Sequence, residues 1–104
     1  LSIMNLSKVF ITLAITVGMS NAALAGNIAA GKAKAASCAG CHGAAGISNN
    51  PAWPNLAGQQ KVYLEKQMRD FRSGKRQDAL MTPMAKPLSD TDIKNLAAYY
   101  SSLK

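Results

Sequence analysis

All the cysteine and histidine of the chain lies within five consecutive residues, Cys38-Ala39-Gly40-Cys41-His42. Two thiols three residues apart are followed directly by an imidazole, which gives the pattern C-x-x-C-H. This pattern is typical of covalent attachment of a c-type haem, in which the thiols bond to the vinyl groups along one porphyrin edge and the imidazole binds the iron. A chain with this motif has to fold around a large planar group, so the motif restricts the fold more than any other feature of the sequence.

Zinc, a redox dithiol and a structural disulfide are the alternative uses of these residues. Structural zinc takes four Cys or His ligands, and the chain has only three such residues. A redox C-x-x-C pair normally lies in a βαβ unit, and the sequence has no strand pattern. A disulfide between Cys38 and Cys41 would close a loop too short to stabilise the domain. The haem interpretation is therefore favoured.

The amino-terminal segment predicts export from the cytoplasm. It has one positive charge, Lys8, then an uncharged stretch from Val9 to Met19, and it ends in Ala23-Leu24-Ala25. A helix of about 11 apolar residues spans only about 16 Å, too short to cross the hydrocarbon core of a bilayer. We therefore predict that residues 1–25 are a cleaved signal peptide and that residues 26–104 form one periplasmic domain without stable membrane insertion. An uncleaved anchor or a buried helix is the alternative interpretation.

Residues 26–104 contain only 18 large hydrophobic side chains and 14 alanines. The core of so short a domain usually supplies no more than about 3–5 kcal/mol, so a cofactor, metal or disulfide has to add stability. The same length excludes a TIM barrel and a doubly wound dinucleotide-binding domain.

The hydrophobic pattern predicts an all-α domain with three main helices, over residues 28–37, over residues 60–73 and from Ser89 onward. Gly74 is at the stop position of the second helix, and Ser89-Asp90-Thr91-Asp92 resembles a capping box for the third. Each helix has an apolar face, formed in chain order by Ile28, Ala29, Ala33 and Ala36, by Leu64, Met68 and Phe71, and by Ile93, Leu96, Tyr100 and Leu103.

A haem iron in an electron carrier needs a second axial ligand, and His42 is the only histidine. Methionine is then the leading candidate. Met81 and Met84 lie in a segment predicted to be a loop, about 40 residues after His42, whereas Met68 lies on a helix stripe and is interpreted as core. Spacing does not choose between Met81 and Met84, and Lys86 or an open sixth position is the alternative.

The ordered set of motifs resembles a class I cytochrome c, and most closely one half of the diheme periplasmic cytochromes of the c-four type and their single-haem relatives. The resemblance covers residues 26–104. It rests on Gly31, Cys38-Ala39-Gly40-Cys41-His42-Gly43, Pro54-Asn55-Leu56-Ala57-Gly58-Gln59, Tyr63-Leu64, Gln67-Met68, Gly74-Lys75-Arg76, Met81, Met84, Leu88-Ser89-Asp90 and Ala98-Tyr99-Tyr100. It implies a small class I cytochrome c fold, with helices and loops wrapped around one covalent haem c. Such relatives often have two haem domains, whereas this chain has one haem motif.

The resemblance also implies the residues that hold the haem. Cys38 and Cys41 form the thioethers, His42 and Met81 bind the iron, and the Pro54 carbonyl accepts the Nδ1 hydrogen of His42. It further implies that Gly31 lets the first helix cross the last near Tyr99. The predicted haem-packing residues are Trp53, Leu56, Leu64, Met68, Leu80, Met84 and Tyr100.

The chain is predicted to carry single electrons by Fe(III)/Fe(II) cycling between respiratory or oxidoreductase partners, and not to be an enzyme. Residues 26–104 have a formal net charge of +6, which favours partners with acidic docking surfaces. Lys66, Arg69 and Arg72 lie on one face of the second predicted helix and are candidates for such docking. Ordinary solvated surface is the alternative interpretation of that face. The nucleic-acid-binding patterns are missing from the sequence. An enzyme or gas sensor with a vacant sixth position, or a haem subunit of a larger oxidoreductase, are the competing functions.

Overall fold

The computed structural model describes residues 26–104, and the predicted signal peptide over residues 1–25 lies outside the described residues. The helices of the described part are α1 (Ile28–Lys34), α2 (Ala39–His42), α3 (Lys61–Ser73), α4 (Met81–Ala85) and α5 (Asp90–Ser102), and a 3-10 turn (Ala35–Ser37) joins α1 to α2. Residues 26–104 contain no strand, so the all-α prediction is confirmed. The predicted helices correspond to α1, α3 and α5.

The segment that contains both candidate methionines differs from the prediction. It was expected to be a loop, and it forms α4, a helix of five residues. Pro83 lies in the first turn of this helix, where its missing N–H does not break an intrahelical hydrogen bond. The two methionines are therefore presented from a helical turn, three residues apart.

Helix α1 crosses α5 closely at Gly31. A Cβ atom added to Gly31 would overlap the backbone carbonyl of Asn95 and would lie 2.8 Å from the Cβ of Tyr99. The backbone N–H of Asn27, which caps α1, also donates to Asn95 Oδ1 at 2.8 Å. The predicted crossing near Tyr99 is thus present, and it depends on the smallest residue.

The predicted apolar face of the first helix is wrong. The residues proposed for it are all exposed, namely Ile28, Ala29, Ala33 and Ala36. The helix instead buries Gly31, and the 3-10 turn that follows it buries Ala35, four residues further on. Because the backbone of α5 approaches so closely, only the face with the smallest side chains can be turned toward it.

Helices α3 and α5 build the rest of the core. Helix α3 buries Leu64 and Phe71 and ends at Gly74, whose φ of 83° is the left-handed conformation expected at this position. Helix α5 begins with the predicted capping box, in which Ser89 and Asp92 exchange side-chain and backbone hydrogen bonds. Ile93 and Leu96 of α5 are the largest fully buried side chains among the described residues.

The described helices do not include one that is long and apolar enough to cross a membrane.

Candidate haem-binding site

A mainly apolar cleft of about 390 Å³ is lined by residues from α2, α3, α4 and α5 and from the segments that connect these four helices. This volume falls within the range of about 300–1,000 Å³ that is typical of small-molecule and cofactor sites. Its lining includes four buried core residues of α3 and α5, Leu64, Phe71, Leu96 and Tyr100, so the cleft borders the hydrophobic core of the domain.

The C-x-x-C-H motif lies on the wall of this cleft. Cys38 directly precedes α2, Cys41 and His42 are its last two residues, and all three side chains line the cleft. The backbone N–H of His42 donates to the carbonyl of Cys38 at 3.0 Å, which closes the helical turn. Both cysteines are free thiols; Cys38 is partly buried and Cys41 is exposed. Cys41 can therefore be reached by a bonding partner that enters the cleft.

His42 is held in one orientation. Its side chain is only 7% exposed, and its Nδ1 lies 2.8 Å from the carbonyl oxygen of Pro54. A carbonyl can only accept, so Nδ1 carries the hydrogen, and Nε2 is the ring nitrogen left to bind a metal. This is the arrangement in which a metal-binding imidazole is fixed by a backbone carbonyl. The hydrogen bond implied by the family resemblance is present.

The loop that carries Pro54 is fixed by its own hydrogen bonds. The carbonyl of Gly46 accepts from the backbone N–H groups of Leu56 and Ala57 at 2.8 and 3.0 Å. Asn55 Oδ1 accepts from the backbone N–H of Ser48 at 2.7 Å. The Pro54 carbonyl therefore belongs to a cross-linked loop, which gives the His42 ring a stable acceptor.

Met81 and Met84 both line the cleft from α4. Asp78 Oδ2 accepts from the backbone N–H groups of Met81 and Leu80, each at 2.9 Å, and the Asp78 N–H donates to Thr82 Oγ1 at 2.9 Å. The hydrogen bonds from Met81 and then Leu80 lower the pKa of Asp78. The start of α4 is thereby fixed at the residue proposed as the iron ligand.

The two methionines differ in exposure, and Lys86 differs from both in location. Met81 is partly buried, whereas Met84 is 46% exposed. Lys86 does not line the cleft, and it contributes instead to an open groove beside Arg72 and Thr82. Of the sixth-ligand candidates from the sequence, the structure thus brings the two methionines to the cleft and leaves the lysine outside it.

The predicted haem-packing residues all reach the cleft, namely Trp53, Leu56, Leu64, Met68, Leu80, Met84 and Tyr100. Burial raises the pKa of the Tyr100 hydroxyl, with a further contribution from Cys38, so the Tyr100 side chain is neutral. Other residues of the cleft wall were not predicted as such, among them Gln67, Phe71, Arg76 and Asp78. The sequence feature that could have indicated Arg76 and Asp78 is Gly74, because a left-handed residue at the end of a helix turns the chain out of the helix. After this turn the backbone N–H of Arg76 donates to the carbonyl of Asp70 in α3.

The predicted basic face of α3 is largely neutralised within the molecule. Lys66 Nζ lies 2.6 Å from Asp70 Oδ2, and Arg69 Nη2 lies 4.0 Å from Glu65 Oε2. Arg72 donates to Asp90 Oδ1 at 2.6 Å and to the Leu88 carbonyl at 3.0 Å, so it links α3 to the start of α5. These three residues do not form a row of free positive charges.

The donor set fits a covalently attached haem. Two free thiols in C-x-x-C spacing, an imidazole with its Nδ1 already engaged and two thioether side chains all line one apolar cleft. Small helices enclosing such a cleft define a c-type cytochrome, a class of proteins that carry electrons on a covalently bound haem. The sequence profile of the cytochrome c family matches residues 28–104, and the chain belongs to this family.

Within the family, the chain is similar to cytochrome c4 of Pseudomonas aeruginosa, with 47% identity over 100 residues that cover 95% of this chain and 50% of the relative. It is 51% identical to cytochrome c-554(548) of Halomonas halodenitrificans over 81 residues, which cover 75% of this chain and 98% of the relative. The crystal structure of reduced recombinant cytochrome c4 from Pseudomonas stutzeri matches with a TM-score of 0.73 and 44% identity, over 77% of this chain and 47% of that chain.

The chain thus spans about half the length of the cytochrome c4 relatives it matches, and nearly the full length of cytochrome c-554(548). A further relative, 51% identical over 77 residues, is named thiosulfate dehydrogenase electron acceptor, from Thiomonas intermedia, and the match covers 73% of this chain and 36% of that protein.

Proposed function

We propose that residues 26–104 are a single-haem electron carrier in which Cys38 and Cys41 form the thioethers and His42 and Met81 bind the iron. The observation that carries this proposal is the shared cleft, because the C-x-x-C-H motif and the methionines of α4 line the same apolar space. One cysteine pair and one histidine are enough for one haem. When bound, the haem supplies one-electron exchange between Fe(III) and Fe(II).

The residues of the chain adapt the site to electron transfer. Pro54 holds the His42 ring, so the ligand keeps its orientation when the iron charge changes. The Met81 thioether is neutral and soft, which favours the ferrous state and raises the reduction potential relative to a second imidazole. The apolar lining has the same effect on the potential, because it excludes water from the side of the ring.

We further propose that the carrier works in the periplasm after removal of residues 1–25, as the basic and apolar pattern of that segment predicts. Its partners are redox proteins that exchange one electron with it. Because the Thiomonas intermedia relative is named thiosulfate dehydrogenase electron acceptor, a dehydrogenase of this kind is one class of donor. The net charge of +6 on residues 26–104 supports partners with acidic docking surfaces.

Replacement of each α4 methionine by alanine tests the ligand assignment. The wild-type protein should show a c-type α band when reduced and, when oxidised, the weak near-infrared band of a sulfur-to-iron bond. Met81→Ala should remove the near-infrared band, lower the potential and let carbon monoxide bind the reduced iron. Met84→Ala should keep all three properties of the wild type and destabilise the protein by less than about 2 kcal/mol, since Met84 is only half-buried.

The two variants and the wild-type protein distinguish a wrong methionine ligand, an open sixth position and the absence of a haem. The reverse result, with the near-infrared band lost only in Met84→Ala, would assign the iron to Met84. Rapid carbon monoxide binding by the wild-type protein would show an open sixth position and would contradict the carrier function. Absence of the c-type α band in the wild type would remove the haem proposal altogether.

A further inference from the structure

Three successive backbone N–H groups at the start of α4 converge on one residue, Asp78. Its side-chain Oδ2 accepts from the N–H groups of Leu80 and Met81 at 2.9 Å each, and its backbone carbonyl accepts from the N–H of Thr82 at 3.1 Å. The next residue, Pro83, has no N–H group that needs an acceptor. Asp78 therefore makes the hydrogen bonds that the free N–H groups at the start of a helix require.

Thr82 returns one of these hydrogen bonds. The backbone N–H of Asp78 donates to Thr82 Oγ1 at 2.9 Å, so the two residues are joined by one hydrogen bond in each direction. This reciprocal pairing is similar to a capping box. Leu80, which directly precedes α4, has an apolar side chain and offers no acceptor. The start of α4 therefore depends on the Asp78 side chain.

The two ends of α4 are held by different means. At the carboxyl end Ala85 is completely buried, whereas Met81 and Thr82 at the amino end are only partly buried. A helix of five residues is far too short to be stable on its own. Packing therefore fixes the end at Ala85, and the hydrogen bonds to Asp78 fix the end that carries Met81.

Asp78 also interacts with the positive charge of Arg76, and both residues line the cleft. The hydrogen bonds from Met81 and Leu80 lower the pKa of Asp78, and the charge of Arg76 contributes further. The carboxylate thus offers two separate properties, an acceptor oxygen and a negative charge. Asparagine keeps the first and loses the second, so a single substitution can distinguish them.

Order in the backbone of Met81 affects how firmly its sulfur holds the iron. A thioether is a neutral ligand, and it competes with other ligands for the sixth position. Fixing the backbone of one residue costs about 1–2 kcal/mol of conformational free energy. Where hydrogen bonds to Asp78 have already fixed the backbone of Met81, the bond to iron does not have to overcome this cost.

We propose that Asp78 is a positioning residue for the iron ligand: its acceptor oxygen preorganises the backbone of Met81 and thereby strengthens the sulfur-to-iron bond against competing ligands. The inference rests on the proposed haem site with Met81 as ligand. The acceptor oxygen, and not the negative charge, has this role.

Imidazole added to the ferric holoprotein measures the strength of this bond, because it binds the iron only where the Met81 sulfur has left. In Asp78→Ala the affinity for imidazole should rise by about two- to thirtyfold, the range expected for the loss of a helix cap. The near-infrared sulfur-to-iron band should also disappear at a lower temperature. Asp78→Asn keeps an acceptor oxygen, so its affinity for imidazole should stay within about twofold of the wild type.

Asn27→Ala is the matched control, because it removes a cap from a different helix. Asn27 Oδ1 accepts from the backbone N–H of Ala30 at 2.9 Å at the start of α1, and α1 contributes no residue to the cleft wall. This variant should lower the unfolding midpoint and leave the affinity for imidazole unchanged. An increase equal to that of Asp78→Ala would show a general loss of stability and would contradict the proposal.

A double substitution tests whether Asp78 acts through Met81. In a Met81→Ala background the sulfur-to-iron bond is already absent, so adding Asp78→Ala should not change the affinity for imidazole. An increase that persists in this background would overturn the proposal. An affinity in Asp78→Asn as high as in Asp78→Ala would also overturn it, because the charge would then be responsible.

Thr82→Val decides the question if Asp78→Ala does not accumulate as holoprotein. It keeps the shape of the side chain and removes only the acceptor for the Asp78 N–H, so the affinity for imidazole should rise by about twofold. A wild-type affinity in the variant that can be measured would refute the role of Asp78. A wild-type protein without the near-infrared band would instead contradict the methionine ligand of the proposed function.

Discussion

Gly31 shows how much one residue decides where two helices meet. The side of α1 at Gly31 lies directly against the backbone of Asn95 in α5, so the space for a methyl group is missing. Alanine is a better helix former than glycine by about 1 kcal/mol, and on an isolated helix the substitution Gly31→Ala would be stabilising. In this domain the added Cβ atom improves helix propensity and worsens packing, so Gly31→Ala compares the two effects on the free energy of unfolding directly.

We expect packing to dominate, because the obstacle is backbone and cannot rotate away. Gly31→Ala should lower the free energy of unfolding of the holoprotein by about 1–3 kcal/mol, as overpacking of a tight contact does. Denaturant unfolding followed by circular dichroism measures this change. Lys32→Ala, at the exposed neighbouring position, should stay within about 0.5 kcal/mol of the wild type. A Gly31→Ala protein as stable as the wild type would show that α1 and α5 can separate without loss.

Individual site residues were predictable from sequence to very different degrees. The C-x-x-C-H motif specifies its chemistry locally, because the two thiols and the imidazole lie within five consecutive residues. Arg76 has no such local signature. Its position in the cleft depends on the chain reversal at Gly74 and on the Phe71 ring, and only the folded chain brings these together.

At the scale of elements, strong periodicity predicted α3 and α5, whereas weak periodicity failed. The sequence of α1 has alanine on nearly all sides, so hydrophobicity did not distinguish the face that packs on α5 from the faces in solvent. Helix α4 has five residues, too few for a period, and it is organised by the Asp78 side chain. Both failures arise because tertiary contacts rather than local pattern decide these short elements.

The link from Arg72 to Asp90 and Leu88 joins the end of α3 to the start of α5. Arg72→Met keeps the apolar stem of the side chain and removes both contacts, so it should lower the unfolding midpoint at neutral pH. Lys66→Met is the matched control, because the Lys66 to Asp70 pair lies within one helix and joins no second element. Its effect should be smaller.

The pH dependence of this effect follows from Asp90. The hydrogen bond from Arg72 lowers the pKa of Asp90 below its ordinary value of 3.8. A lowered folded pKa means that the link contributes fully above the unfolded value and is lost as pH falls through the folded value. The difference in stability between wild type and Arg72→Met should therefore be largest at neutral pH and shrink below pH 3.8. A difference that stays constant into acid would show that Asp90 is not the partner that matters.

At the scale of the whole molecule, charge is distributed differently from what the sequence suggested. The net charge of +6 belongs to residues 26–104 as a whole, but the α3 cations predicted to steer partners are paired with carboxylates of the same domain. Charge reversal at Arg72 would break the link between α3 and α5 and would confuse stability with docking. Lys75 is a better probe of docking charge, because it is exposed and belongs to none of the four ion pairs of the described residues. It is also adjacent in sequence to Arg76, which lines the cleft.

The last prediction uses small oxidants of opposite charge to measure the electrostatic potential at the surface through which the protein gives up its electron. Oxidation of the reduced protein by the anion hexacyanoferrate(III) should slow as ionic strength rises from about 0.01 to 0.15 M, since the Debye length falls from about 30 to 8 Å. Oxidation by a tripositive cobalt phenanthroline complex should become faster over the same range. Lys75→Glu should reduce the hexacyanoferrate rate by a factor of about two to ten at low salt. Lys32→Glu changes the net charge equally but lies on α1, which contributes no residue to the cleft wall, so its effect should be clearly smaller. Equal effects of Lys75→Glu and Lys32→Glu in stopped-flow measurements would mean that only the total charge matters. The surface next to Lys75 and Arg76 would then not be the place where electrons are exchanged.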